Sequence, residues 1–290
     1  MNKEILANQP FDLGLEFQRP IRRTAAGKIK IYSYSKSGAA VRGTLAVLLL
    51  LALWGFLSFD VKNVDFAEAM AKTWRNVQTV FFQPRLARNT FWGAMNQVLV
   101  TFCLGGLATI FGAVIAFFGA LLCAKNIANP RVATATRSLI ALVRAVPTIL
   151  WVLIFAVSAG LGSVAAVVGL TFHSAAYLTK AYAESIEEMD PGTIEALRAS
   201  GAGYWAIVFQ AILPSSVRYM LAWTFLRFEI NFTNAIAVGA AAGAGGIGYD
   251  LFMAGSFYFD LRELGYITWV IVLAVILLET LATQIKAKVK

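Results

Sequence analysis

Apolar residues fall along this chain in long runs separated by short polar stretches. A bilayer crossing takes about 20 apolar residues. The runs give six candidates: Gly43 to Phe59, Phe91 to Ala124, Ser138 to Ala159, Val164 to Ala183, Val217 to Ala240 and Tyr266 to Ala282. The predicted fold class is all-α, a polytopic membrane protein with six transmembrane helices. The second run is longer than one crossing and reads either as a long protruding helix or as a helix with a broken end. Its many glycines suit close helix packing. A tight turn at Gly160-Leu161-Gly162 separates the third run from the fourth.

Composition supports this. Of 290 residues 59% are hydrophobic and 14% charged, against roughly 25% charged in a soluble domain. The runs are too many and too long for a cleaved signal, and the first 42 residues are polar and basic, so no signal peptide is expected. A net charge of +9 would suit nucleic acid, but no basic solvated domain with base-reading elements accompanies it.

Topology accounts for the charge better. With a cytoplasmic N-terminus, 17 of the 25 lysines and arginines fall on the inner side and 6 on the outer, with Arg144 and Arg227 inside spans. The basic excess marks the cytoplasmic side. Both termini, and the segment 184–214, are therefore placed in the cytoplasm. The organisation expected is a basic segment 1–42, a first span with an external segment over 43–90, a core of five spans over 91–283, and a basic tail 284–290. An amphipathic helix held to the inner leaflet by Arg19, Arg22 and Arg23 is expected within the first 42 residues.

Candidate chemistry is sparse. There is one histidine and no HExxH, CxxC or GxSxG pattern, so neither catalytic residues nor a metal site is expected. Cys103 and Cys123 lie on one predicted helix, about 30 Å apart at 1.5 Å per residue. They cannot bridge each other and read as core residues.

Ionisable groups inside spans are costly and mark function by default. His173, Tyr177, Lys180 and Glu184 form one helical stripe in the fourth run; Lys180 and Glu184 can pair along it. Thr224, Arg227, Asn231 and Asn234 form a second stripe in the fifth run, with Glu229 pointing nearly the opposite way. Either arginine, Arg144 or Arg227, is expected to neutralise Glu229 while the other faces a pathway. Arg144, His173, Tyr177, Arg227, Asn231 and Asn234 are the pathway candidates, since Arg and Asn can donate hydrogen bonds that replace the water around a small oxyanion. Packing of both stripes against neighbouring helices is the competing reading.

The segment from Glu184 reads ESIEEMDPGTIEALRASGAGYWAIVFQAILP. Asp190 is a good N-cap and Pro191 a good first helical residue, so a short helix starts there and ends at Gly201. Tyr204 to Ile212 suits a second helical segment, and Pro214 is expected to reorient the chain into the fifth span. Such a pair of helices reads as a docking element or as an amphipathic loop on the membrane surface.

The pattern Glu195-Ala196-Leu197, then Gly201, then Leu213-Pro214 resembles the EAA loop of binding-protein-dependent ABC importer permeases. Further stretches, FFQP at Phe81 to Pro84, RAVPTILWVLIF at Arg144 to Phe155, RFEIN at Arg227 to Asn231 and GAGGIG at Gly243 to Gly248, resemble the phosphonate-type permeases over roughly residues 80 to 283. Leu197 stands where alanine is common and Ala211 where isoleucine is common; Thr233 stands where an arginine is expected. The resemblance implies a type I, MetI-like permease fold. It also implies ATPase coupling through Glu195, Ala196, Leu197, Arg198, Gly201, Leu213 and Pro214. An external gate, or contact with a binding protein, is implied at Gly243, Gly245, Gly246 and Gly248.

The same resemblance implies transport of phosphonate, phosphite or hypophosphite in a bacterial inner membrane. The partners implied are a second permease copy or homologue, two cytoplasmic ATPases and an external substrate-binding protein, with the lipid bilayer around the chain. Because GxxxxGK[ST] is missing, the chain is expected to bind no cofactor itself, ATP and Mg belonging to the ATPases. The rival readings are an ion-coupled secondary transporter using His173 and Glu229, or a permease for another small anion.

Overall fold

The computed structural model describes residues 36–58 and 65–289, with side chains placed for 37–58 and 65–284. No strand occurs among the described residues. The chain divides into two units, residues 1–65 and 66–290. The first contains α1 (Lys36–Leu57), apolar around its whole circumference and with none of its 18-residue apolar window buried. A helix apolar on every side suits a lipid surround. Its end falls short of the expected Phe59, which lies outside the described residues, as does the amphipathic helix expected around Arg19, Arg22 and Arg23.

The second unit opens with α2 (Phe66–Phe82), a 17-residue helix in the segment read from sequence only as external. Trp269 Nε1 donates to Phe81 O at 3.1 Å, tying the end of α2 to α11 (Leu261–Val289). Next comes α3 (Phe91–Cys123), unbroken over 33 residues and started by Thr90, whose hydroxyl accepts from Gly93 N. At 1.5 Å per residue it spans about 50 Å, so the long-helix reading holds. Both cysteines lie on it as free thiols; Cys123 is buried, but Cys103 is exposed rather than a core residue.

The third expected span is not one straight helix. It forms α4 (Pro130–Ala145) and α5 (Thr148–Ala159), bent by 88° at the break. Pro147 explains the break: it lacks an N–H and forces its predecessor out of the helical region, and Val146 takes φ −85°, ψ 125°. The chain then turns at Gly160 and Gly162 into α6 (Ser163–Glu187).

α6 is the central helix. Fourteen of its residues are buried, mostly Ala, Gly, Ser and Thr. Small residues let it approach its neighbours closely: a Cβ on Gly112 of α3 would stand 2.8 Å from the Ser174 Cβ, and one on Gly119 2.6 Å from Thr179 Oγ1. Central placement also suits its buried polar residues Ser174, Thr179 and Ser185, whose side chains meet protein.

The next segment forms α7 (Pro191–Ala199), α8 (Tyr204–Ile207), a π-turn at Val208–Ile212, and α9 (Leu213–Ala242). The expected reorientation at Pro214 does not occur; helix runs on from Tyr204 to Ala242. The π-turn is the reason. Leu213 N donates to Val208 O, five residues back, widening the coil where the proline ring would press on the preceding turn. α10 (Gly246–Phe252) and a second π-turn at Met253–Phe257 lead to α11.

Among the described residues, four helical runs are long and apolar enough to cross a membrane singly: Ser37–Leu57, Phe91–Cys123, Tyr204–Ala242 and Leu261–Gln284. The bent pair α4–α5 passes the same test jointly. α6, 25 residues and thus about 37 Å long, has the length of a span with a more polar surface.

Candidate functional site

The polar stripes of α6 and α9 face each other. Arg227, only 2% exposed, donates from Nε to Ser174 Oγ at 3.0 Å and from Nη2 to His173 Nδ1 at 2.9 Å. Asn231 is fully buried and donates from Nδ2 to Ser174 Oγ at 2.8 Å and to Thr109 Oγ1 of α3 at 2.9 Å. One turn along, the Tyr182 and Thr224 hydroxyls are bonded to each other. The result is a polar seam through the α3, α6 and α9 junction, in which buried polar groups are satisfied rather than orphaned.

The break between α4 and α5 brings a second cation to this seam. The Arg144 guanidinium lies 5.6 Å from the Tyr177 ring centroid and that of Arg227 5.1 Å from the same ring. Each is within cation–π range. Thr148 Oγ1, at the start of α5, is 3.1 Å from His173 Nδ1. Four expected pathway residues, Arg144, His173, Tyr177 and Arg227, are thus brought together. Asn231 lies deeper, in the packing layer, and Asn234 is half-buried. Among the described residues neither arginine pairs with Glu229: Arg227 points away from it on α9, and both guanidiniums gather at Tyr177. Lys180 and Glu184 pair at 3.4 Å as the i,i+4 spacing predicts.

The segment after α6 is rooted in the bundle. Asp190 caps α7 by accepting from Gly192 N at 3.1 Å, with Pro191 at the first position. Gly201 takes φ +84°, a left-handed turn that suits glycine. Ile194, Ile207, Val208 and Ile212 insert into a core shared with Leu178 and Ile186 of α6 and Met220 of α9. The opposite side displays Glu195, Ala196 and Arg198, with Tyr204, Trp205 and Phe209 also exposed. Leu197 is half-buried against the core.

The glycine segment is not a free loop. Gly243 is exposed, Gly245 half-buried, and Gly246 and Gly248 buried. Ile247 N donates to Thr101 Oγ1 at 3.0 Å, and a Cβ on Gly248 would fall 1.8 Å from Ile236 O. The chain folds back against α3 and α9, leaving Gly243 and the aromatics Phe257 and Phe259 on the surface.

Sequence reading missed a polar latch near the start of α11. Arg88 donates from its N and from Nη1 to the two carboxylate oxygens of Glu263, each at 2.9 Å, and from Nη1 to Asp260 at 3.2 Å. Its guanidinium lies 4.3 Å from the Tyr258 ring centroid. Asn89 Nδ2 donates to Asp250 at 2.9 Å. The Glu263 amide, then Arg88, holds the Asp260 carboxyl below its ordinary range, while burial pushes Asp250 up. Partners some 175 positions apart left no local signal; the missed seam members Ser174, Thr109 and Thr148 read as ordinary packing residues.

In class, this is a polytopic helical membrane protein with a permease fold. The fold is shared with a chain from the inward-facing MetNI methionine ABC transporter, at TM-score 0.63 and 23% identity, covering 71% of this chain and all of that one. The family model described as "Binding-protein-dependent transport system inner membrane component" matches residues 112–289, and the chain belongs to that family. That is the membrane component of a transport system, in keeping with the expectation of a non-enzymatic chain.

Among curated relatives, the "Phosphate-import permease protein PhnE" of Mycolicibacterium smegmatis is 33% identical over 190 residues, 65% of this chain and 35% of that one. The "Phosphite transport system permease protein PtxC" of Stutzerimonas stutzeri is 34% identical over 146 residues, 50% and 51% of the two chains. A "Probable D-methionine transport system permease protein MetI" of Pasteurella multocida is 26% identical, with 65% and 90% covered. The matches to the first two relatives thus span about a third and about half of their lengths.

Proposed function

We propose that the chain is the transmembrane permease subunit of an ATP-driven importer for a small phosphorus oxyanion, namely phosphonate, phosphite or hypophosphite. It sits in a bacterial inner membrane with both termini cytoplasmic and six crossings, α6 being the polar one. A second permease copy or homologue completes the pathway, an external binding protein delivers the anion, and two cytoplasmic ATPases bind ATP and Mg.

The observation that carries this reading is the rooted α7–α8 pair. Its outward side offers Glu195, Arg198, Tyr204, Trp205 and Phe209 to a partner, while Ile194, Ile207, Val208 and Ile212 connect it to the core of α6 and α9. A displacement of α7 by an ATPase is passed by close packing to the two helices that bear the polar seam. Alternating access then follows from rocking packed helices about a fixed path.

The anion class rests on the seam and on the relatives named for phosphate and phosphite. Arg144, half-buried, presents a guanidinium fork of the kind that matches a tetrahedral oxyanion, while Arg227, bonded to Ser174 and His173, adds buried positive charge behind it, and their ring and histidine partners are neutral acceptors that leave that charge uncompensated. The test is copurification from native membranes followed by competition among phosphonate, phosphite and hypophosphite for uptake. Recovery of an ATPase and mutual competition are expected. Uptake without any ATPase, abolished by an uncoupler, would replace this reading with ion-coupled transport.

A further inference from the structure

A cavity of about 220 Å³ lies between the end of α3, α4 and α6, walled by Cys123, Arg137, Arg144, Lys180, Ala183 and Glu184. It is distinct from the seam but adjoins it through Arg144, whose guanidinium also meets the Tyr177 ring. Three cations and one carboxylate line it. We propose that this cavity is a second oxyanion site, binding a phosphate-type group at the cytoplasmic end of the path. The inference rests on the transport reading above.

The arrangement of charges carries the argument. Arg137 is fixed by its pair with Glu187 at 2.5 Å and by donation from Nε to Cys123 O at 3.1 Å, so it is a rigid wall. Glu187 also accepts from Lys125 N at 2.5 Å, which holds that carboxylate at the rim. Arg144 has no carboxylate partner among the described residues. Lys180 holds Glu184 at 3.4 Å, with both side chains about half exposed (51% and 49%). An exposed i,i+4 pair is weak, so Lys180 exchanges it readily for a doubly charged oxyanion.

With Glu184 turned to solvent, Arg144 and Lys180 face one volume that has room for a tetrahedral anion and a few waters, at ~30 Å³ per water. Compact, movable Lys180 and the planar fork of Arg144 are complementary donors for such a group. The group is either a free phosphorus oxyanion leaving the seam or the phosphate of an anionic lipid of the inner leaflet.

The full chain in phosphatidylcholine nanodiscs, without ATPase, is titrated calorimetrically with sodium phosphite. Wild type is expected to bind. Lys180→Gln should weaken binding about tenfold, the worth of one charge-assisted hydrogen bond, and Lys180→Arg should restore it. Ala141→Trp, on the exposed side of the same lining, should block the cavity sterically. Repeating the titration with phosphatidic acid in the disc separates the sources: phosphite displaced by lipid makes the headgroup the resident, and phosphite retained makes the free anion the resident.

Equal binding in wild type, Lys180→Gln and Ala141→Trp overturns the proposal, and so does absence of binding in wild type in both discs. If only Arg227→Ala loses binding, the seam is the sole site and the cavity proposal fails while the transport reading stands. Binding that follows Lys180 alongside failed uptake in the assembled importer would sink the transport reading instead.

Discussion

Arg227 and His173 are joined by a hydrogen bond of 2.9 Å between Nη2 and Nδ1, and its direction is fixed. A guanidinium only donates, so Nδ1 accepts and the imidazole proton sits on Nε2. Thr148 Oγ1 also approaches Nδ1, at 3.1 Å. His173 is thereby an acceptor that orients Arg227.

Asparagine carries an acceptor close to the place of Nδ1. His173→Asn is therefore expected to keep most uptake, whereas His173→Phe should lose roughly ten- to a hundredfold, because a hydrogen bond to a charged group is worth about 1.5–3 kcal/mol. Initial uptake rates in reconstituted vesicles check this. Equal loss in both variants, with sensitivity to an uncoupler, would favour a proton role for the ring.

Coupling should fail without misfolding when Gly201 is changed. At φ +84°, with nothing within 4 Å of the point where a Cβ would stand, a side chain there meets backbone strain alone, about 1–2 kcal/mol. Gly201→Asp should insert normally yet lose ATPase copurification and uptake. Ile194→Ala removes a core anchor that is 2% exposed, costing about 2–5 kcal/mol locally, and should weaken the same association. Normal copurification in both variants would show that force enters elsewhere.

Close packing of α3 on α6 gives a stability prediction. Gly112→Leu would drive a side chain into Ser174, already 2.8 Å from the position of a Cβ. Overpacking of this kind costs about 1–3 kcal/mol, and the thermal midpoint in detergent should fall. Gly106→Ala on the same helix, where a Cβ meets only the Phe228 ring at an ordinary 3.6 Å, is the control and should leave the midpoint no lower.

Asp250 supplies a pH dependence with a definite sign. Burial raises its folded pKa above the ordinary 3.8, with Asn89 acting in the opposite direction. A carboxyl raised on folding is destabilising when ionised, so Asp250→Asn should stabilise the protein at neutral pH. The gain should shrink as pH falls through the folded pKa and vanish below 3.8. Asp260 behaves oppositely, its depressed pKa giving stability above 3.8 that is lost on further acidification. Melting curves of Asp250→Asn and wild type between pH 3 and 8 test this; a gain that grows towards low pH would contradict it.

Local features were legible before the structure. The Asp190 cap, Pro191 at a helix start, the turn at Gly201 and the pairing of Lys180 with Glu184 all depend on neighbours a few positions away. The two polar stripes were legible as stripes, but not that they meet each other. Ser174, which Arg227 and Asn231 share, also bonds its own helix at Leu170 O, and such a residue resembles simple packing. The α4–α5 bend was not read from the sequence, although Pro147 is its cause. Its consequence, Arg144 and Arg227 on one ring, needed the third dimension, as did the Arg88–Glu263 latch. At Pro214 the expectation failed because a π-turn absorbed the strain that was read as a change of direction.

The most direct measurement is uptake of phosphite into vesicles holding this chain with the ATPase and binding protein proposed for it, with ATP supplied or withheld, for wild type and Arg227→Ala. Uptake is expected only with ATP, and Arg227→Ala is expected to lose about tenfold or more with the ATPase still bound. Phosphite uptake that proceeds at full rate without ATP, or that Arg227→Ala leaves unchanged, would contradict this.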